Sequence, residues 1–164
     1  SGLNLWDFGT IHKNKDLSIL KSCLSEWFRN PKDLNLTSPQ TKYPFSFNHW
    51  VNAHYQDDSI FTLVLSVENW IVGHISMKPY PDKKLGHIFH LFVAQSHRKQ
   101  GYGLKLLSEA EELIKENGYL TARLNVLPKN TAALAMYQST HYTQADETPT
   151  KSFVFLKTLC EDSC

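Results

Sequence analysis

Residues 87–103, HIFHLFVAQSHRKQGYG, decide the interpretation of this chain. The apolar and aromatic run at the start predicts a strand that ends at Val93, and a polar turn follows. Gly101 and Gly103 then open a stretch with helical spacing. Two glycines at a helix start let backbone N–H groups approach an anion closely, and the partial positive charge of the helix N-terminus favours phosphate. With cationic side chains just before the glycines, the element is predicted to be a pyrophosphate cradle.

Two other phosphate-binding motifs fit these residues poorly. A dinucleotide fingerprint needs a third glycine, where this chain has Leu106, and an acidic residue about 20 positions further on. Residues 121–125, TARLN, contain no acid. A P-loop needs Gly-Lys-Ser/Thr, but Gly103 is followed by Leu104. Taken alone, the two glycines are also compatible with an ordinary turn into a helix.

Composition favours one folded domain over residues 1–164, of which 41% are hydrophobic and 20% charged. Seventeen Lys and Arg against sixteen Asp and Glu give a formal net charge of +1. Such a balance offers no basic field for nucleic acid, so no nucleic-acid partner is expected.

The cysteines and the N-terminus suggest a compartment. Cys23, Cys160 and Cys164 are odd in number and mostly far apart, so neither a disulfide framework nor a zinc site is expected. No apolar stretch approaches the roughly 18 residues of a membrane span. Ser1-Gly2 is interpreted as a remnant of cloning and not as part of a signal peptide. The expectation is a cytoplasmic protein in a reducing compartment.

Hydrophobic periodicity predicts a mixed order of helices and strands. Three prolines in residues 31–45 predict a loop there. The predicted helices are 16–28, 47–55, 101–117 and 130–139, and the predicted strands are 3–11, 60–66, 70–77, 87–93, 120–127, 141–145 and 153–159. The expected fold is α+β (mixed α/β), with a central, mostly antiparallel sheet of about seven strands and about four helices on both faces.

The cradle resembles a known family motif. Val93 and Arg98-x-x-Gly101-x-Gly103, followed by an amphipathic helix, are similar to the acetyl-CoA motif of the GNAT N-acetyltransferase superfamily. One strand later, residues 126–137, VLPKNTAALAMY, resemble the next signature of that family. The resemblance covers roughly residues 58–145 and implies the GNAT fold.

A narrower resemblance concerns the branch that acetylates the N-termini of ribosomal proteins. Residues 43–46, YPFS, and the block 87–142 are similar to that branch. The chain departs from it at His141-Tyr142, where the family usually has Gly-Phe, and at Asn125, where the branch carries a Glu thought to act as a base.

The family resemblance implies a set of acetyl-CoA contacts. The backbone of Leu91 and Val93 would hold the pantetheine arm, and one such N–H would polarise the thioester carbonyl. Asn130 would contact the cofactor, although Asn at a helix start is also a good cap. The expected acetyl-CoA-binding residues are Leu91, Phe92, Val93, Arg98, Lys99, Gln100, Gly101, Tyr102, Gly103, Asn130 and Tyr137.

Tyr137 and His87 are the predicted catalytic residues. Tyr137 matches the family tyrosine that protonates or stabilises the departing thiolate; the alternative is a tyrosine packed in the core. Asn125 cannot accept the proton of the amine. His87 is the proposed base, on a strand face shared with Phe89, Leu91 and Val93 and opposite to His90, although a histidine on a strand is more often structural.

The aromatic-rich residues 43–55, YPFSFNHWVNAHY, lie where relatives form the acceptor wall. Phe45 and Trp50 from this segment, together with Asn125, are the expected acceptor-binding residues. The alternative is a helix that packs in the core.

The resulting prediction is an acetyl-CoA-dependent N-acetyltransferase that acts by direct attack of a primary amine in a ternary complex. The expected partners are acetyl-CoA and an amine-bearing small molecule or peptide, without a metal or membrane, in a monomer or homodimer. One alternative is an inactive GNAT-fold module that binds CoA and acts as a sensor or regulator. Another is a different nucleotide-binding protein that uses the same glycine turn.

Overall fold

The structure, a computed structural model, describes residues 8–10, 15–68, 70–145 and 151–160. Its strands are β1 (Phe8–Thr10), β2 (Phe61–Val67), β3 (Trp70–Tyr80), β4 (Leu85–Val93), β5 (Thr121–Val126), β6 (Thr143–Gln144) and β7 (Phe153–Thr158). They form a seven-stranded sheet in the order β1-β2-β3-β4-β5-β7-β6. Neighbouring strands are antiparallel except β4 and β5, which run parallel. The predicted mixed fold with a mostly antiparallel sheet is confirmed.

Five α-helices lie in the described ranges: α1 (Lys15–Trp27), α2 (Pro31–Thr37), α3 (Phe47–Trp50), α4 (Tyr102–Glu116) and α5 (Thr131–Ser139). A π-helical turn, Val51–Tyr55, continues α3. Helix α2 corrects the prediction of a loop. The side chain of Asn30 caps α2 by accepting from the backbone N–H groups of Lys32 and Asp33. Pro31 occupies the first position of the helix, where proline is well suited. None of these helices is long and apolar enough to cross a membrane.

Helices cover both faces of the sheet. On one face α4 contributes Leu106, Leu107, Ala110 and Ile114 to the larger core, which we call the α4 cluster. On the other face, Leu20 and Leu24 of α1, Phe28 directly after α1, Leu34 of α2 and Trp50 of α3 form a second core, which we call the α1–α3 cluster.

Strand β4 contains a bulge at His90. The pairing with β3 shifts between His74 and Ser76, and φ at His90 is 54°. Ile88 packs in the α4 cluster, yet Phe92, an even number of residues later, packs in the α1–α3 cluster. The inserted residue therefore exchanges the two faces of the strand partway along its length.

The bulge corrects the expected facing of β4. Leu91 and Val93 pack against the α4 cluster. The rings of His87 and Phe89 stack with centroids 5.8 Å apart, and Phe89 meets His90 edge-on at 4.7 Å. The prediction that His87 and Phe89 share a face with Leu91 and Val93 is wrong, because strict alternation ends at the bulge.

Strands β4 and β5 pair only at one end. The bridges join Gly86, His87 and Ile88 to residues 122–124. Within the described residues, no bridge joins 89–93 to β5, so the strands part beyond Ile88. The carbonyl oxygens of His90 and Val93 accept from the side chains of His74 and Arg98, and the other backbone groups along this edge are left for another partner.

Cys160 is disulfide-bonded, which corrects the expectation of no disulfide. The expectation rested on an odd number of cysteines, and an odd number excludes complete pairing without excluding one bond. Cys23 is a free thiol, and burial raises its pKa.

Gly86→Ala should destabilise the protein by about 1–3 kcal/mol in urea unfolding, because overpacking strains a close-packed core. A Cβ at this position would lie 2.4 Å from Cγ1 of Ile114, a fully buried side chain. Gly103→Ala is the control, since its Cβ would have only an ordinary contact, 3.5 Å from Sδ of Met136. Equal unfolding midpoints for the two variants would contradict the packing argument.

Candidate active site

The chain passes from β4 into α4 through a turn with left-handed backbone. Lys99 has φ of 63°, and Gly101, the N-cap of α4, has φ of 85°. No side chain of the described residues caps the helix, so the N–H groups of its first turn remain available. The Tyr102 ring is buried in the α4 cluster, so only its backbone can serve the turn. A Cβ at Gly101 would meet nothing within 4 Å, which leaves space for an anionic group against the backbone.

The polar side chains of this turn differ in their contacts. Arg98 donates from Nε to the carbonyl oxygen of Val93 at 2.8 Å, and its guanidinium lies 3.5 Å from the carboxylate of Asp33. These contacts hold the turn against α2 and partly neutralise the charge of Arg98. Lys99 and Gln100 are exposed. An anion at this turn would therefore meet the backbone N–H groups and Lys99 more readily than Arg98.

Helix α5 places Asn130 and Tyr137 beside the cleft. Asn130 is the N-cap of α5, and its Oδ1 accepts from the N–H of Ala133 at 3.3 Å. Tyr137 is buried, with its ring centroid 5.8 Å from that of Tyr142. Burial raises the pKa of Tyr137, so the phenol is protonated at neutral pH. A protonated phenol can donate to a leaving group.

Four rings pack together beside β4, on the face of the sheet that α1, α2 and α3 cover. Trp50 stacks on His90 with centroids 4.3 Å apart, and His54 meets His90 edge-on at the same distance. Phe89 contacts both histidines. We call Trp50, His54, Phe89 and His90 the histidine–aromatic wall. Burial lowers the pKa of His54 and holds the pKa of His90 well below its usual value.

Hydrogen bonds from His74 and Ser38 hold His90 of the histidine–aromatic wall in place. Nδ1 of His74 lies 2.9 Å from the carbonyl oxygen of His90, so this nitrogen carries the proton and donates. Nε2 of His74 then accepts from the hydroxyl of Tyr55 at 2.8 Å. Ser38 Oγ lies 3.0 Å from Nε2 of His90, whereas Nδ1 of His90 is buried with no hydrogen-bond partner in the described part of the chain.

His87 is neutral at pH 7. Burial, together with the positive charges of Arg123 and Lys83, lowers its pKa to about 4. Its Nδ1 accepts from Nε of Arg123 at 3.2 Å. A neutral imidazole can accept a proton, but a pKa this low makes His87 a weak base.

The expected acceptor residues occupy different surroundings. Asn125 is exposed on β5 opposite Val154, and it lines the cleft together with Trp50. Phe45 packs at 5.3 Å from Phe28 and 5.6 Å from Trp50, and it contributes to the α1–α3 cluster. Phe45 therefore supports the wall from within the core.

One cleft of about 1690 Å³ connects Gly101, Tyr137, His90 and His87. Small-molecule sites usually occupy about 300–1,000 Å³, so this cleft has room for a large cofactor and an acceptor together. Across the described ranges, no group of three or more His, Cys, Asp or Glu side chains is placed to hold a metal ion.

Several residues of the site escaped the sequence analysis. Ser38, His54 and His74 come from three separate segments that meet only in the folded chain. Arg123 was taken as an ordinary strand residue, because its neighbour His87 is 36 positions away. Arg123 could not be found from the sequence because the register between β4 and β5 was not known.

Comparison with known proteins identifies the family. The model of the acetyltransferase (GNAT) family matches residues 21–142. The chain belongs to this family, and the resemblance seen in the cradle and in the segment that leads to Tyr137 is confirmed.

Particular relatives are more distant. Human N-acetyltransferase 8 is 31% identical over 80 residues, and the match covers 46% of this chain but only 35% of that protein. PaiA N-acetyltransferase from Thermoplasma acidophilum, solved with coenzyme A, has a TM-score of 0.68 at 18% identity, covering 93% of this chain and 99% of that chain. Ribosomal-protein-alanine N-acetyltransferase from Brucella melitensis has a TM-score of 0.70 at 18% identity, covering 94% and 100%. These structural likenesses concern the fold, so the ribosomal branch stays a prediction.

The free energy of unfolding should fall as pH decreases from about 6.5 to about 4, and His74→Gln should make that fall smaller. Burial lowers the pKa of His74 from 6.5 to about 4 in the folded protein. The unfolded chain therefore binds this proton first, which destabilises the fold by about 3 kcal/mol once pH reaches 4. Urea unfolding at several pH values measures the slope.

The control for this prediction is His49→Gln, which replaces an exposed imidazole. It should leave the slope of the wild-type protein unchanged. If the free energy of unfolding fell equally with pH in His74→Gln and in the wild type, the pH dependence could not be assigned to His74.

Proposed function

We propose that the protein transfers the acetyl group of acetyl-CoA to a primary amine, by direct attack of the amine on the thioester while both substrates are bound. The observation that carries this proposal is the opening between β4 and β5. An uncapped helix start at Gly101, an unpaired strand edge beyond Ile88 and the buried phenol of Tyr137 all face one cleft.

The backbone would supply most of the contacts to acetyl-CoA. The first-turn N–H groups of α4 and the left-handed turn at Lys99 and Gly101 suit a pyrophosphate. Beyond the bulge at His90, the edge of residues 91–93 faces the opening and offers backbone N–H groups, which suits the amides of a pantetheine arm. An N–H of Leu91 or Val93 then donates to the thioester carbonyl and stabilises the oxyanion.

Tyr137 would donate the proton that the departing thiolate needs. A phenol has an ordinary pKa of about 10 and a thiol one of about 8.5, so the phenol stays protonated beside the departing thiolate and can stabilise it by donating a hydrogen bond, with the proton passing over as the thiol forms and the phenol regaining one from solvent. Burial raises the pKa of Tyr137 further, which favours stabilisation of the thiolate by a hydrogen bond.

On the acceptor side, the amine must lose a proton before or during attack. His87 remains the predicted proton acceptor, although a base with a pKa of about 4 is weak for this task. We therefore assign most of the deprotonation to solvent in the open cleft and expect His87→Gln to lower kcat less than Tyr137→Phe. Trp50 and Asn125 would line the acceptor, with Phe45 behind Trp50.

Gly101→Glu should weaken acetyl-CoA binding at least about tenfold in calorimetric titration. The substitution places a carboxylate beside the cradle and forces a side chain into left-handed backbone. Gly118→Glu is a matched control at the other end of α4. It has φ of 91° and open space around its Cβ, so it shares the backbone strain but lies far from the cradle. Equal Kd values for the two variants would contradict the cradle.

Tyr137→Phe should lower kcat about a hundredfold with little change in the Kd of acetyl-CoA, because general acid catalysis is lost. The assay is thiol release with a panel of amines. Tyr142→Phe is the control: it removes the hydroxyl that donates to Glu111 at 2.7 Å, so stability should fall while kcat is retained. Wild-type kcat in Tyr137→Phe would contradict the acid role.

Two other outcomes would redirect the proposal. Saturable acetyl-CoA binding without thiol release on any amine would favour an inactive CoA-binding module with a sensor or regulatory role. Competition by ATP or NAD would favour a different nucleotide-binding protein. The amine-bearing acceptor, the monomeric or homodimeric state and the cytoplasmic location stay predictions from the sequence.

A further inference from the structure

Three basic residues lie side by side across the sheet near the start of β4. Lys78 on β3 is the register partner of His87 on β4, and His87 is the register partner of Arg123 on β5. Partners on neighbouring strands point to the same face, about 4.8 Å apart. We call Lys78, His87 and Arg123 the basic row. Its face is opposite to α4, because the adjacent Gly86 lies directly against Ile114.

The positive charge around this row is incompletely neutralised. The charged groups of Lys78, Lys83 and Arg123 lie 5.5, 5.8 and 5.3 Å from the ring centroid of Tyr80. Lys78 pairs with Asp57 at 3.2 Å. In the described residues, neither Lys83 nor Arg123 forms a salt bridge. Lys83 and Arg123 both lie over the ring of Tyr80, so an anion bound beside this ring would be attracted by two positive charges that no carboxylate of the described residues pairs with.

Arg123 is oriented for such an anion. Its Nε donates to Nδ1 of His87, and its guanidinium lies over the ring of Tyr80. These two contacts fix the plane of the guanidinium and leave its terminal N–H groups for another acceptor. A carboxylate matches their geometry because it can accept two parallel hydrogen bonds.

The basic row reaches the cleft through Lys78 and His87, and Arg123 lies beside His87 and Tyr80. Lys78, Tyr80 and His87 line the cleft, and His87 stacks on Phe89 of the histidine–aromatic wall. The strands part beyond Ile88, so the reacting thioester would lie two or three residues further along β4. At 3.3–3.4 Å per residue, this separation is about 7–10 Å.

We propose that the basic row, together with Lys83, binds a carboxylate of the acceptor. The acceptor class is then an amine that carries a carboxylate about 7–10 Å from its nitrogen. This inference rests on the proposed acetyl transfer and names the substrate class of the same site.

The test uses two acceptors of equal length, 6-aminohexanoate and 6-aminohexanamide, with acetyl-CoA and the full chain. The carboxylate should have a kcat/KM at least about tenfold higher than the amide, because a hydrogen-bonded charge contributes strongly to binding. The preference should lie mainly in KM and should decrease as salt is added, since the cations are partly exposed. Equal kcat/KM values for the two acceptors would overturn the proposal.

Variants assign the preference to named side chains. Arg123→Gln and Lys83→Gln should each reduce the ratio of kcat/KM for the carboxylate to kcat/KM for the amide. Lys84→Gln is the matched control, because Lys84 is an exposed lysine in the same turn with no contact to Tyr80. A preference that survives in Arg123→Gln and Lys83→Gln, or that disappears in Lys84→Gln, would overturn the assignment.

A binding measurement separates this inference from the proposed function. The inert products 6-acetamidohexanoate and 6-acetamidohexanamide are titrated into protein saturated with coenzyme A. Tighter binding of the carboxylate supports the subsite even if no amine is acetylated. Absence of carboxylate binding at millimolar concentration overturns the subsite even if acetyl transfer is observed.

Discussion

The parting of β4 from β5 beyond Ile88 is the constraint on which the site depends. Where β4 and β5 are paired, the absence of a side chain at Gly86 lets the sheet pack closely against Ile114 of α4. Past Ile88 the backbones of β4 and β5 no longer form hydrogen bonds with each other, and backbone groups of β4 face the cleft. Unpaired backbone groups are costly when buried, so such an edge is stable only where water or a ligand can reach it. The opening is therefore where the proposed pantetheine arm would lie.

Because of the bulge, His90 lies among aromatic rings while Leu91 and Val93, directly after it, pack against the α4 cluster. Beyond it, Leu91 and Val93 are anchored in the α4 cluster, which holds their backbone rigidly at the cleft. His90 itself points toward Trp50 and His54, where burial keeps the imidazoles neutral. The centre of the cleft is thus lined by uncharged rings. Positive groups line the cleft at the cradle, with Arg98 and Lys99, and at the basic row, with Lys78.

The parts of the site that the sequence predicted are those encoded by adjacent residues. The glycine turn, the cap at Asn130 and the position of Tyr137 within α5 all follow from local spacing. The histidine–aromatic wall and the basic row were not predictable, because each depends on register between segments far apart in the chain. The bulge was hidden for a related reason: one inserted residue leaves the apolar pattern of 87–93 intact while exchanging its faces. Helix α2 was missed because Pro31 was interpreted as a breaker, although it occupies the one helical turn that tolerates proline.

The basic row also bears on how the acceptor loses its proton. A primary amine is a cation at pH 7, and positive charge nearby lowers its pKa. Arg123 and Lys83 have this effect on His87, whose pKa they help to lower. A carboxylate on the acceptor would provide the binding energy that brings the amine near Arg123 and Lys83. One carboxylate neutralises only part of their positive charge, and the remainder would favour the neutral, nucleophilic form of the amine. In this arrangement Asn125 need not act as a base. The weak basicity of His87 follows first from its burial and then from the same charges that favour loss of the proton from the amine.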